Sequence, residues 1–239
     1  MMNENEPKLP GARLAAAASY IRGGAVFADI GTDHAYLPIY AASCGLITRA
    51  VASDVNRGPI EHAVENVRKN GAESLISCVL TSGFDNLESF GITDAAICGM
   101  GGELIATIIS NADFIKHDGF RLIVQPMTMP DAARRELWHS GFEITSETTV
   151  FEERKYYTII CADYCGISHT LDDFTALYGD FNIRHFSSDE VCRGYLEHEI
   201  LKYERIIKGK SVSGLDVSFE HGIAGMLTKI KADIYGNNK

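Results

Sequence analysis

The chain has 239 residues, 46% of them hydrophobic, with a formal charge of -10 and a pI near 5.2. That length buries a substantial core, as one large domain or one domain with an appendage. The acid excess excludes the basic composition that drives non-specific nucleic-acid binding, though it leaves room for a local basic surface facing a structured RNA.

The six cysteines (Cys44, Cys78, Cys98, Cys161, Cys165 and Cys192) form no Cys-x-x-Cys pair, and several fall in apolar runs. They read as reduced core residues rather than disulfides or a zinc site. The opening MMNENEPKLP has no apolar signal core, and no run is long enough to cross a bilayer, so the expected compartment is the cytoplasm.

In chain order, residues 13–21 suit a short helix ended by Gly23 and Gly24. Residues 25–30 (AVFADI) form an apolar run stopped by Gly31, the pattern of a buried strand. A helix over 37–45 opens with a proline in its first turn and closes on glycine. A second strand spans 48–53 and runs into Asp54, and residues 56–70 are amphipathic and helical, with Asn70 and Gly71 as the stop. Strands over 75–80 and 94–98, a helix over 103–110, a strand over 120–125 and a helix over 132–140 follow. Two last strands, 142–150 and 155–162, flank the charged segment 151–154, which suits a hairpin.

Strands alternating with helices imply βαβ units and a mostly parallel sheet. Seven such strands make an α/β fold, a Rossmann-like doubly wound sheet whose ligand site lies beyond the carboxyl ends of its strands. Strand signals stop near residue 164, so the expected division is a domain over 1–163 and a helical subdomain over 164–239. Residues 188–208 read as a long helix with Val191, Tyr195, Leu196, Ile200, Tyr203 and Ile207 on one side, and a second helix spans 215–234. The two can pair as a hairpin, serving as a packing subdomain, a substrate-gripping arm or a dimer contact.

The first strand ends in Asp29-Ile30-Gly31-Thr32-Asp33-His34-Ala35. A glycine directly after a strand allows a tight turn and close approach to a ligand. Asp29 and Asp33 beside it favour a cationic ligand over a pyrophosphate, since a carboxylate repels phosphate oxygens. S-adenosylmethionine, with its sulfonium and ammonium, meets that requirement; Asp33 as a plain cap of the following helix is the structural alternative. Asp54, followed by Val55, stands about twenty residues past the turn, where a carboxylate accepts from ribose hydroxyls. Ser82 and Gly83, within Thr81-Ser82-Gly83-Phe84-Asp85, fall at the level of an adenine ring, with Phe84 available to line its face. The fourth strand runs into Cys98-Gly99-Met100-Gly101-Gly102, where three glycines bare the main chain and make room for a flat substrate. His34, Asp33 and His62 lack metal-ligand spacing, and no metal is expected.

The stretches ADIGTDHAYLPIY, SDVNRGPIEHAVENVRKNG and ICGMGGELIATII resemble the bacterial tRNA (adenine-22-N1)-methyltransferase family. The later Gln125-Pro126-Met127, the Leu137-Trp138…Gly141 block and Glu153-x-Lys155-Tyr156-Tyr157 follow the same pattern. The resemblance covers residues 13–162 closely and the C-terminal helices loosely. It implies methyl transfer from S-adenosylmethionine to N1 of an adenosine in the D-arm region of tRNA. Asp29, Gly31, Thr32, Asp33 and His34 fall on the first cofactor motif, Asp54 and Val55 on the ribose contact, and Gly99 to Gly102 on the catalytic loop. Ser82 departs from the family, which carries an acidic residue there, and this weakens the adenine-contact assignment.

N1 of an unpaired adenine already holds a free lone pair, so catalysis rests on alignment rather than on a strong base. The product ring is cationic; Asp33 and the carbonyls around Cys98 and Gly99 are the candidates to stabilise it, with Met100 beside them. The target base must leave its stack, with Tyr36, Met100, Gly101, Gly102 and Arg13 as candidate substrate contacts. Two other readings fit the same residues: a small-molecule methyltransferase, and a non-catalytic nucleotide- or RNA-binding module. Lys202, Arg205, Lys208 and Lys210 are candidates for a basic approach, diluted by Glu197, Glu199 and Glu204.

Overall fold

In a computed structural model of the chain, residues 9–236 are described. The opening eight residues, read above for a targeting segment, lie outside them. The chain divides into two compact units, the first ending at Leu177 and the second beginning at Tyr178.

The first unit is built on seven strands: β1 (Ala25–Ile30), β2 (Ile47–Asp54), β3 (Ile76–Leu80), β4 (Asp94–Gly101), β5 (Arg121–Thr128), β6 (Phe142–Glu152) and β7 (Lys155–Tyr164). α1 (Ala12–Ala18) precedes the first strand, and α2 (Tyr36–Ser43), α3 (Arg57–Lys69), α4 (Gly102–Ser110) and α5 (Pro130–His139) lie in connections between strands. The sheet order is β3-β2-β1-β4-β5-β7-β6, with β7 antiparallel to both β5 and β6. This is the Rossmann-like doubly wound sheet that the alternation predicts. β1, β2, β4 and β5 carry near-continuous buried runs because helices cover both faces. Apolar layers on the two sides include Ile30, Ile97, Leu122 and Ile160 on one and Phe27, Ala50, Ile123 and Ile159 on the other.

Strand order reverses between β1 and β4, since β1 leads outward to β2 while β4 leads to β5 on the other side. Connections therefore diverge above this pair and leave a crevice at the carboxyl ends. Two boundaries shift in ways that matter there. β4 continues to Gly101, three residues past its expected end, because Met100 and Gly101 still pair with Pro126 and Thr128 across two irregular steps in the register. β5 likewise runs to Thr128. The last hairpin closes on a two-residue turn, Glu153 and Arg154, both left-handed at φ +48° and +65°. That twist joins antiparallel strands well, and here residues with side chains adopt it.

The division falls after Leu177 rather than after residue 163. The intervening segment is fastened to the sheet domain: Cys165 and Gly166 donate to the Gly141 carbonyl, and His169 to that of Trp138. It includes most of a short helix, α6 (Asp173–Tyr178), which hydropathy alone does not reveal. Arg134, fully buried, donates to the carbonyls of Ala176 and Leu177 at 2.8 Å each and to Glu147 at 2.6 Å.

The second unit contains α7 (Asp180–His185), also unforeseen, α8 (Glu190–Val212) and α9 (Ser218–Gly236). Short helices of this kind are held by tertiary contacts rather than by their own propensity. Asp189 caps α8 by accepting from the Cys192 amide at 2.8 Å. Glu197 receives Lys231 and Tyr235, while Lys210 pairs with Glu220, so α8 and α9 run antiparallel as a hairpin. Tyr195, Leu196, Ile200 and Tyr203 are buried as the stripe predicts, and Val191 and Ile207 are half-buried. Of the four basic candidates on this helix, Lys202 is paired with Glu199 and Lys210 with Glu220. Among the described residues no helix is long and apolar enough to cross a membrane.

Replacing Arg134 with Met removes the cation facing buried Glu147 and two donors to the 176–177 carbonyls. Urea unfolding is expected to show a loss of about 3–5 kcal/mol, against less than about 1 kcal/mol for Met at the more exposed Arg135, whose ion pair with Asp173 is solvated.

Candidate functional site

A cavity of about 580 Å³ opens at the crevice above β1 and β4. Its walls come from four places: the turn after β1 (Gly31 to Leu37), the end of β4 (Cys98 and Gly99), Gln125 on β5, and the approach to α1 with the β6–β7 turn (Pro10, Gly11, Arg13, Leu14, Glu152 and Glu153).

The turn is shaped by backbone bonds. Gly31 and Thr32 donate to the Ser53 carbonyl at 2.7 and 2.8 Å, which folds the chain back over β2. Gly31 lies at φ +77°, a backbone conformation that favours glycine, and the Met100 methyl lies over it. Ala35, at φ +54°, starts α2, and its amide donates to Thr32 Oγ1 at 3.0 Å. The helix therefore has no Asp33 cap, and the structural alternative for that residue is removed. Asp33 is solvated, with 71% of its side chain exposed and Oδ2 3.3 Å from His34 Nε2.

The two acids of this motif differ in kind. Asp29 sits at the cavity floor, 8% exposed, and burial pushes its carboxyl up from 3.8 to about 6. The Thr32 hydroxyl donates to it and partly offsets that rise. The same hydroxyl accepts from Ala35, so both of its capacities are used. Cys98, on the adjacent strand β4, also lines the cavity; burial and the nearby Asp29 charge hold its thiol protonated, so it offers no thiolate nucleophile.

The Gly99 to Gly102 run needs correction. Gly99, at φ +79°, lines the cavity, and no non-neighbouring described atom lies within 4 Å of where its Cβ would stand. A Cβ on Gly101 would stand 3.4 Å from Thr128 Oγ1, an ordinary contact, whereas one on buried Gly102 would run into the Met129 carbonyl. Gly102 therefore permits close packing of α4 on the end of β5 rather than making room for a substrate, and neither glycine lines the cavity. Met100 does not line the cavity; its methyl lies over Gly31.

Asp54 ends β2 beside both neighbours: Ser53 pairs with Ile30, Asp54 with Leu80, and the Thr81 amide donates to the Asp54 carbonyl at 3.0 Å. Its carboxylate accepts from the Asn56 amide at 2.6 Å, and Val55 is 65% exposed. Ser82 and Gly83 line a separate hollow of about 480 Å³, with Leu104 and Ile108 among its walls. Phe84 has only a small share in it: its ring is 4% exposed and packs edge-on against Phe114 and Phe120, so it belongs to the core.

Asp33, His34 and His62 do come together, with ligand-type atoms within 4.8 Å of one another. The two imidazoles stack at 5.0 Å and 13°, which sets their nitrogen lone pairs in near-parallel planes rather than aiming them at one point. Tyr36 tilts against His34 at 5.1 Å and is 40% exposed at the rim.

The wall opposite the β1 turn was only partly foreseen. Arg13 is held by Glu152 through its amide (3.0 Å) and Nε (2.8 Å), lies 4.8 Å over the Tyr157 ring, and reaches Gln125 Oε1 at 3.4 Å. Glu152 is separated from it by 139 positions, and no local pattern links the two.

Among known proteins, the methyltransferase-domain family matches residues 11–160. The curated tRNA (adenine(22)-N(1))-methyltransferase of Bacillus subtilis is 36% identical over 159 residues, 66% of this chain and 66% of that protein. Sp1610 of Streptococcus pneumoniae, solved with S-adenosyl-L-methionine, superposes with a TM-score of 0.81 at 28% identity, covering 93% of this chain and 99% of that one. M. capricolum TrmK, solved with S-adenosyl-homocysteine, gives a TM-score of 0.76 at 26% identity, over 95% of this chain and 99% of its own.

The burial of Asp29 makes a prediction independent of any ligand. Its folded pKa, about 6, lies above the ordinary 3.8, so the folded state binds the extra proton and stability falls as pH rises between those values. Asp29→Asn is therefore expected to be more stable than wild type at pH 8, by up to about 3 kcal/mol, with the difference vanishing below pH 4. Denaturant titrations at the two pH values read this directly.

Proposed function

Because the chain belongs to the methyltransferase-domain family, and within it to the tRNA (adenine(22)-N(1))-methyltransferases, we propose that it transfers a methyl group from S-adenosylmethionine to N1 of adenosine 22 in tRNA. The observation that carries this reading is the buried carboxylate of Asp29 at the floor of a cavity above the β1–β4 crevice. A carboxylate there repels a phosphate and attracts a cation, and the donor carries both a sulfonium and an ammonium.

The residues present fit that cofactor. Asp29, Gly31, Thr32, Asp33 and His34 would hold its aminoacyl end, while its ribose would reach Asp54 and Val55 and its base Ser82 and Gly83, none of which lines the cavity; the last two line a hollow of their own. When bound, the cofactor supplies an electrophilic methyl group. Gly31 lets the chain pass close to it, and Thr32 keeps Asp29 oriented. Tyr36 and Arg13 stand at the rim to receive the extruded base, a role for Arg13 that its ion pair with Glu152 makes rigid. The carbonyls at Cys98 and Gly99 accept from the adenine N6 amino group, and Asp33 faces the ring as it becomes cationic. No general base is required, because N1 has no proton to lose.

The deciding assay offers labelled cofactor with two tRNA transcripts, one carrying adenine at position 22 and one guanine, and identifies the product after nuclease digestion. 1-Methyladenosine is expected from the first alone; transfer only to small acceptors, or to neither transcript, would sink the reading. Asp54→Ala is expected to weaken cofactor binding about 10- to 100-fold, the worth of charge-assisted hydrogen bonds, and unchanged affinity by calorimetry would remove its ribose role. Cofactor affinity is expected to climb from pH 5 to pH 7 as Asp29 ionises, and Asn at that position should flatten the profile.

A further inference from the structure

Gln125, on β5, is 1% exposed and touches three polar groups that agree on which way its amide faces. Its Oε1 accepts from the Gly99 amide at 3.1 Å and from Arg13 Nη1 at 3.4 Å, while its Nε2 donates to the Pro126 carbonyl at 3.0 Å. Turning the amide over would set its NH2 against the Gly99 N–H and the Arg13 cation, and its oxygen against a carbonyl. A buried amide facing two donors with a donor is costly, so a single orientation survives. Arg13 is itself immobilised by Glu152 and Tyr157. The order is therefore directional: Glu152 carboxylate, Arg13 guanidinium, Gln125 oxygen, Gly99 amide.

Gly99 needs such a restraint. It is a glycine at φ +79°, with open space where a side chain would be, at a point where β4 is already irregular in its pairing with β5. No described atom beyond its chain neighbours lies within 4 Å of where its Cβ would stand, so no contact on that side holds its peptide. Because the Cys98–Gly99 peptide is planar and trans, fixing its N–H also fixes the Cys98 carbonyl on the opposite side.

We propose that Gln125 is a positioning residue that sets the Cys98–Gly99 peptide at the cavity wall, with the Arg13–Glu152 pair holding its amide the right way round. The proposal rests on the function given above, in which those carbonyls receive the adenine edge. Gln125 acts through that peptide on the alignment of N1 with the methyl group, where a displacement of about 1 Å costs roughly 100-fold in rate.

The test compares wild type, Gln125→Met and Gln125→Glu in single-turnover methyl transfer to the tRNA transcript, alongside cofactor affinity by calorimetry and the amide resonance of Gly99 by NMR. Met has similar length and no acceptor; Glu keeps an acceptor for both Gly99 and Arg13 and, protonated, a donor for the Pro126 carbonyl. The expected result is a rate at least about 30-fold lower in Gln125→Met, cofactor affinity within about threefold of wild type, and recovery in Gln125→Glu to within about fivefold. The Gly99 amide proton should move upfield in Gln125→Met only. Should Gln125→Met fail to fold, Gln125→Asn, one methylene too short to reach Gly99, replaces it with the same expected loss. A Met variant as fast as wild type, a Glu variant as slow as Met, or an unmoved Gly99 resonance in Met overturns the proposal. If wild type itself methylates no tRNA, the functional reading fails, and the amide resonance alone decides the role of Gln125.

Discussion

β1 and β4 lie side by side, with Asp29 opposite Ala96 and Ile30 opposite Ile97, yet their following segments leave in opposite directions. Nothing covalent closes the space above them. Every polar group in that space must find its partner within the turn, along the strand ends or in a ligand, and this constraint arranges the rest of the site. Gly31 and Thr32 turn back onto Ser53, Thr32 satisfies Asp29 and Ala35 together, and Gln125 answers Gly99. The crevice stays open because these partners are drawn from its rim, while Met100 leans across Gly31 from the strand that forms the other side.

Asp29 shows what that arrangement costs. A carboxylate with almost no solvent contact and one hydroxyl donor is less stable ionised than it would be in water, hence its raised pKa. Folding by itself gives no reason to place an acid there; an amide would fill the same volume without the penalty. A buried acid of this kind, at a topological switch point, belongs to the class of groups whose local cost is offset by binding. Asp33, four residues on, is solvated, so the two acids that look equivalent in the sequence are physically unlike.

Much of this was legible along the chain. The run AVFADI followed by glycine located β1 to the residue, and the position of Asp54 at the end of β2 followed from strand length. Those signals are local: apolar continuity, a turn residue, an acid at a fixed distance. The reading of Gly102 as substrate room failed because a glycine's purpose depends on what approaches it, here the Met129 carbonyl beyond the end of another strand. Phe84 failed likewise, since only the three-dimensional neighbours Phe114 and Phe120 reveal it as core. The Arg13–Glu152 pair joins the first helix to the penultimate strand, and the segment beyond residue 164 is tied down by Arg134. Neither bond leaves a trace in spacing or hydropathy.

The chemistry proposed for the cavity accords with its acidic walls and with the pairing of Arg13, a basic group in its lining, to Glu152. Methyl transfer to N1 moves one positive charge from sulfur to the adenine ring without creating or removing any. A cavity bearing Asp29, Asp33, Glu152 and Glu153 is favourable to the charge at both ends of that path, and paired Arg13 opposes it at neither. Such a reaction gains little from proton transfer and much from holding nucleophile, methyl carbon and leaving sulfur in line. Accuracy must then come from the backbone that carries the contacts. In this fold that backbone is a glycine strand end with no side chain to wedge it, so the constraint falls to hydrogen bonds drawn from β5 and, through Arg13, from the far ends of the domain.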